Sequence, residues 1–325
     1  MEHPRSIYHN IRLIAIAALC LWAIACTTPG DGENSPGSGK DSTSTAAAEK
    51  PRAFPMPLIP ADITSQEASM QYALHNFWNR YDFSDTTAHN IAIGENGFRT
   101  FLALLRNADT ATVDSAMAGF LAMGCRHDES YSRCDALVRR HLDNPESPMR
   151  NDGLYTVYLR RRLLTTADEA LQGRIRFRIK LLEKNRPGTI ATDFAYIDRA
   201  GKSGRMHSLH TPLLLLIFAD PDCESCKVIL PRMMGDRLLQ DKRVKVMIVY
   251  PGDDTEMWNS CTARIPLGWI DARSPDGEIA DKLLYHIPAM PSLYLLDADK
   301  RVILKDASHE DVSATIAKRL REMKQ

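Results

Sequence analysis

Six consecutive apolar residues, Leu213–Phe218, run into Ala219-Asp220-Pro221-Asp222 and then Cys223-Glu224-Ser225-Cys226. An apolar run of that length suits a central parallel strand buried on both faces. The Asp-Pro-Asp break ends the strand, so Cys223 falls where a helix begins. A thiol at a helix N-terminus feels the positive end of the helix dipole, which favours the reactive thiolate. Cys226 follows one helical turn later, within reach of a disulfide with Cys223. The stretch predicts an α/β unit whose first helix carries dithiol–disulfide chemistry.

The chain's 325 residues suffice for about two domains. Lys plus Arg equals Asp plus Glu, at 41 each, so no global field points to nucleic acid or an acidic partner. Arg160-Arg161-Arg162 reads as a solvated helix face.

The N-terminus reads as a targeting segment. Arg5 and Arg12 flank an apolar stretch, Leu13 to Ala25, that is too short to span a bilayer as a helix but fits a signal-peptide core. It ends in Ala23-Ile24-Ala25-Cys26. Small residues before a cysteine resemble the lipobox of bacterial lipoproteins, which implies that Cys26 is lipidated and becomes the mature N-terminus. The alternative is an ordinary secretory signal with Cys26 a bystander. Residues 27–52, rich in Thr, Ser, Gly, Pro and Ala, suit a flexible tether. Export places the cysteines where disulfides persist. Of the 7 cysteines, Cys20 goes with the signal. Cys125 and Cys134 are either a structural disulfide or buried thiols, and Cys261 is left over.

From Pro60 to about Lys184 the pattern is helical. Candidate helices cover Gln66–Tyr81, Glu95–Asn107, Thr110–Met123, Tyr131–Leu142, Gly153–Leu164 and Ala167–Glu183. Apolar stripes such as Phe98, Phe101, Leu102 and Leu105 read as core. His75, His89, His127 and His141 read as surface or capping residues. After Asn185-Arg186-Pro187-Gly188 strands alternate with helices. The strands are Phe194–Ile197, Leu213–Phe218, Val244–Tyr250, Trp269–Asp271, Ser292–Leu296 and Val302–Lys305. The helices are Cys223–Leu239, Asp254–Ser260, Gly277–Tyr285 and His309–Met323. Such alternation implies helices packed on a central sheet.

Pro231 stands inside the helix that starts at the dithiol, where it removes a backbone hydrogen bond and kinks the helix. Pro291 follows Met290 and precedes a strand, a place for either a trans or a cis proline. Asp297-Ala298-Asp299-Lys300 reads as a hairpin turn. This combination over residues 186–325 resembles the thioredoxin fold. Pro187-Gly188, Asp193-Phe194, Asp198 and Gly201 make it similar to TlpA/ResA-type membrane-anchored periplasmic thiol–disulfide oxidoreductases. With Phe77-Trp78-Asn79, Ser147-Pro148-Met149-Arg150-Asn151 and Lys184–Gly188, the whole chain resembles Bacteroidetes-type lipoproteins that fuse an uncharacterised helical domain to a thioredoxin-like one. The fold class expected is an α/β thioredoxin-like C-terminal domain preceded by an all-α helical domain. The division is 1–25 signal peptide, 26–57 tether, 58–185 helical domain and 186–325 thioredoxin-like domain.

The resemblance implies that Cys223 is the attacking thiol and Cys226 the resolving thiol. It makes Pro291 the cis-proline beside them, and lets Met290 offer backbone groups to an extended substrate. Two departures stand out. Thioredoxins carry a buried acid where Ile217 stands, and ResA-like proteins a glutamate where Ile229 stands, which leaves Asp220, Asp222 or Glu224 to serve through water. Asp222 and Glu224 oppose the thiolate that Lys227 and the helix dipole favour, which suits a reductase or isomerase rather than a strong oxidant.

A zinc site needs about four ligands, and only Cys261 and His286 are at hand to complete the pair. A peroxiredoxin would need other residues than Asp220 and Leu216. A non-catalytic binding or scaffold lipoprotein with a static disulfide is the other reading. The expectation is an exported, lipid-anchored thiol–disulfide oxidoreductase with no dissociable cofactor and no metal. Its substrates would be disulfide-containing exported proteins, recharged by an upstream membrane thiol reductase, with no nucleic acid bound. It would face the periplasm, with Asp31 and Glu33 favouring the outer membrane over the inner.

Overall fold

The computed structural model describes residues 53–126, 128–260 and 265–323. The signal segment, Cys26, most of the tether, His127 and Cys261 lie outside the described residues. The described residues all fall within one compact unit, Lys50–Gln325.

Six helices come first: α1 Gln66–His75, α2 Ala88–Leu105, α3 Thr110–Gly124, α4 Asp128–Val138, α5 Asp152–Thr165 and α6 Glu169–Leu182. Side chains that accept backbone N–H groups start most of them, including Ser65, Thr87, Asp109, Asn151 and Asp168. Their shared core is aromatic, with Phe77, Trp78, Phe98, Phe101 and Phe120 all nearly inaccessible. The first helix is shorter than its apolar pattern suggests. Asn76 donates both its backbone N–H, at 3.0 Å, and its side-chain amide, at 2.9 Å, to the Tyr72 carbonyl, and Phe77 and Trp78 then turn inward as a non-helical segment.

The second part holds a seven-stranded sheet in the order β2-β1-β5-β4-β3-β6-β7. Its strands are β1 Ala195–Asp198, β2 Ser203–Arg205, β3 Leu213–Phe218, β4 Val244–Tyr250, β5 Ile270–Arg273, β6 Ser292–Asp297 and β7 Val302–Lys305. β3 pairs parallel with β4 and antiparallel with β6, and every one of its residues is buried. Helices α7 Glu224–Met234, α8 Thr255–Ser260, α9 Glu278–Asp281 and α10 His309–Glu322 complete this part. The fold class is the expected one, helical first and then mixed α/β.

Three local readings need correction. The helix expected over Gly277–Tyr285 stops at Asp281. Leu283 takes a left-handed backbone (φ 48°), and the N–H groups of Leu283 and Leu284 bond back to Ala280 and Ile279, a Schellman ending built without glycine. The dithiol helix ends at Met234 rather than Leu239, although it continues through Pro231. Strand β2 has no apolar alternation to announce it; Gly204 is there because a Cβ would lie 2.6 Å from the Tyr196 hydroxyl.

Two surface assignments also change. Arg162 is mostly buried, paired with Asp135 and set over the Tyr131 ring, while Arg160 and Arg161 pair with Glu183 and Asp114. His141 is half-buried against the Phe98 ring and 3.5 Å from Glu95.

An ionic cluster joins the two parts. Asn151 caps α5 and so sets Asp152 at the start of that helix, facing strand β7. Asp152 Oδ2 accepts from Lys305 Nζ at 2.9 Å, and Asp152 Oδ1 from Arg150 at 2.8 Å. Buried His286 lies 3.4 Å from the same carboxylate. Arg150 also pairs with Asp306, whose other contact is the Ser292 hydroxyl at 2.7 Å. Burial works to raise the Asp152 pKa, but the His286 hydrogen bond and the Lys305 and Arg150 charges prevail and hold it well below the usual carboxylate range.

Asp152→Ala is expected to lower the unfolding free energy by about 3–5 kcal/mol, because Lys305 is left buried and unpaired. Urea denaturation of the full chain measures this; a loss below about 1 kcal/mol contradicts a stabilising role for the cluster.

Candidate functional site

Strand β3 and the start of α7 bring the two cysteines into place. At the end of the strand the Asp220 carboxylate accepts the Asp222 N–H at 2.8 Å, and the Cys223 N–H bonds to the Asp220 carbonyl at 3.1 Å. That turn delivers Cys223 as the N-cap of α7. Its sulfur accepts the Cys226 N–H at 3.1 Å, the capping contact a serine oxygen makes in other helices. Cys223 is half-exposed, Cys226 is 2% exposed, and both are free thiols in this structure.

Pro291 reaches the same place through the sheet. Phe218 of β3 is registered against Ser292 of β6, so the residues just before Ser292 lie beside the end of β3. The Met290–Pro291 peptide bond is cis. The Met290 carbonyl accepts the Cys223 S–H at 3.1 Å. All four residues singled out in the sequence therefore converge: Cys223, Cys226, Met290 and Pro291. The Met290 carbonyl is already engaged by Cys223 in the dithiol state.

The surroundings of Cys226 keep its thiol protonated. Burial is the main cause, followed by the hydrogen bond with Cys223, and its pKa is pushed well above the thiol range. Ile217 is fully buried between Ile248 and Leu293, so the position expected to carry an acid is filled by apolar packing. A cavity of about 250 Å³ opens beside Cys226, lined by Pro221, Leu230, Pro231, Met234 and Trp258. Of the three carboxylates proposed to act through water, Asp220 lines this cavity with Cys226. Asp222 and Glu224 are exposed, and Glu224 holds Lys227 at 2.8 Å. The charge of Lys227 is thus shared with a carboxylate rather than directed only at Cys223.

Among the described residues, Cys125 and Cys134 are not bonded to each other. Cys134 is buried and its pKa is pushed up to about 12 by burial, while exposed Cys125 remains a separate thiol. His286, weighed as a zinc ligand, is held in the Asp152 cluster, and no group of metal-binding side chains exists among the described residues. The sequence reading missed that cluster and the open space beside it. A groove of about 990 Å³ is lined by Arg150, Asp152 and Val157 of the helical part and by Ala289 and Pro291 of the sheet part. Its lining includes residues of two segments that carry the resemblance, Ser147–Asn151 and Lys184–Gly188, and Pro291, but nothing along the chain brings them to one place.

At pH 8, iodoacetamide is expected to modify Cys223 of the reduced native chain about tenfold faster than Cys226, or more, because Cys226 is buried and protonated. Peptide mapping by mass spectrometry follows the reaction. Equal rates at the two cysteines contradict this geometry.

Comparison with known proteins agrees with the fold. The family model described as domain of unknown function DUF5106 matches residues 26–185. A thioredoxin-like protein from Bacteroides caccae aligns at 26% identity and a TM-score of 0.75, over 82% of this chain and 99% of its own. The C-terminal domain of an uncharacterised Bacteroides fragilis protein is 29% identical over 41% of this chain and 98% of its own, with a TM-score of 0.40. The thioredoxin domain of a thiol-disulfide oxidoreductase from Bacteroides vulgatus is 20% identical over 41% of this chain and 96% of its own, with a TM-score of 0.37. No curated protein matches the chain. The chain therefore has a thioredoxin-like fold of the type solved from Bacteroides caccae, preceded by a helical region that matches DUF5106.

Proposed function

We infer that this chain is a thiol–disulfide oxidoreductase working by dithiol–disulfide exchange through Cys223 and Cys226, as a reductase or isomerase. The observation that carries the reading is the sulfur of partly exposed Cys223, held between the Cys226 N–H and the carbonyl that precedes Pro291. A sulfur used only as a structural cross-link has no need of an accessible face at a helix N-terminus.

The reaction runs in two displacements. The Cys223 thiolate attacks one sulfur of a substrate disulfide, forming a mixed disulfide and releasing the other substrate sulfur as a thiolate. Cys226 then loses its proton and attacks the Cys223 sulfur, which frees the second substrate thiolate and leaves a Cys223–Cys226 disulfide. Two electrons pass to the substrate. The proton of Cys226 must be taken up inside its cavity, where two carboxylates stand: Asp271 is engaged by Arg199 and Trp258, which leaves Asp220 as the acceptor. Before the first step the Cys223 S–H leaves the Met290 carbonyl, and that backbone group becomes available to a substrate strand beside Pro291. Electrons travel through the cysteines, so no dissociable cofactor takes part.

The rest of the reading stands on sequence. The apolar Leu13–Ala25 segment with Cys26 supports export and lipid anchoring at the cell envelope, facing the periplasm, with the outer membrane favoured. Disulfide-containing exported proteins would be the substrates, and an upstream membrane thiol reductase would return the pair to the dithiol.

Cys226→Ser in the full chain is expected to leave a mixed disulfide on Cys223 when insulin is offered as the disulfide substrate, with net insulin reduction falling by about 100-fold or more. Cys223→Ser is expected to give neither the adduct nor reduction. Non-reducing electrophoresis and insulin turbidity read these outcomes. A Cys226→Ser chain without adduct, alongside a wild type that cannot reduce insulin, supports a static scaffold instead.

A further inference from the structure

The groove between the helical part and the sheet has a consequence for substrate choice. Its lining includes Ala289 and Pro291, next to the carbonyl that touches the Cys223 sulfur. Asp306, Ala307 and Ser308 line it on the sheet side, and Pro148, Arg150, Asp152, Thr156 and Val157 on the helical side. At about 990 Å³ it is at the upper limit of sites that enclose small ligands, roughly 300–1,000 Å³. An extended polypeptide, advancing about 3.3–3.6 Å per residue, fills such a space along its length.

The wall chemistry narrows the occupant. Arg150 is paired with Asp152 and Asp306, Lys305 with Asp152, and Arg160 with Glu183. Asp311 is bonded to the Ser308 hydroxyl at 2.8 Å. With exposed Arg186, the lining holds four cations (Arg150, Arg160, Arg186 and Lys305) against four carboxylates (Asp152, Glu183, Asp306 and Asp311), a balance that presents little net field to an anion and disfavours a phosphate-bearing ligand. Prolines and the uncharged side chains of Thr156, Thr189 and Ser308 occupy the intervening surface.

The wall is also tied to the sheet beside the dithiol. The Arg150–Asp306–Ser292 contacts connect the helical part to the residue after Pro291, so the groove and the sulfur site are held by one network. On the reading of Cys223 as the attacking thiol, we propose that this groove receives an uncharged, extended polypeptide segment next to the substrate's cysteine. The helical region thereby acts as the specificity wall of the oxidoreductase.

Glutathione exchange on the full chain carrying Cys226→Ser tests this. Cys223 is first converted to its glutathione mixed disulfide. It is then equilibrated with synthetic decapeptides of Ser, Thr, Asn and Ala that carry one cysteine at either end. Each exchange forms a Cys223–peptide disulfide and releases glutathione, so mass spectrometry of the intact chain gives the equilibrium constant. At least one decapeptide is expected to be favoured over glutathione by tenfold or more. Pro148→Trp, on an exposed part of the helical wall, and Val157→Arg are each expected to bring that preference to within twofold while glutathione loading is unchanged.

Absence of any preference for the decapeptides, or a preference untouched by both substitutions, overturns the groove proposal and leaves the exchange chemistry standing. Failure of Cys223 to accept glutathione at all overturns the oxidoreductase reading, and with it the role given to the groove.

Discussion

Everything at the dithiol depends on the burial and register of β3. The strand is inaccessible on both faces, between β4 and β6, which makes it the least adjustable part of the sheet. Its end launches the turn that caps α7 with Cys223. Its antiparallel register with β6, Phe218 against Ser292, sets Pro291 beside that cap. A one-residue slip would reverse the faces of a strand whose two sides enter different cores, so the register is held by packing on both sides. Two residues far apart in sequence, Cys223 and Met290, therefore meet at 3.1 Å without any contact dedicated to bringing them together.

The second constraint is ionic. Asp152 lies at the start of a helix, with Lys305 and His286 from the sheet and Arg150 from its own flank converging on it. Such a cluster costs desolvation, and its value lies in geometry as much as in stability. It holds the helical part at one position against the sheet, and Arg150 extends the connection through Asp306 to Ser292. The helical region is therefore part of the architecture of the sulfur site.

Much of this was legible in the sequence, for physical reasons that differ by element. The bounds of β3, β4 and β7 were readable because apolar runs, interrupted in β4 only by Lys245, meet strong breakers. The helix start at Cys223 was readable from the Asp220–Asp222 break. Pro291 was placed by resemblance, since a proline before a strand does not by itself announce its contact. The end of α9 was hidden because Leu283, rather than glycine, takes the left-handed position. The early stop of α1 rests on one side-chain amide at Asn76. Arg162, Asp152 and Lys305 look like surface charges along the chain and are drawn inside by partners 27 to 153 residues away. The groove follows from those pairings and was hidden with them.

The central claim is that Cys223 and Cys226 form a reversible redox couple with moderate reducing power, as befits a pair whose neighbouring Lys227 is shared with Glu224. Equilibrating the full chain in glutathione buffers and counting its thiols measures that directly. One reversible two-electron transition is expected between about −180 and −270 mV, within the span of isomerases and thioredoxins. A pair that stays oxidised or stays reduced across all buffers, or that titrates near about −120 mV with the strongest oxidants, contradicts it.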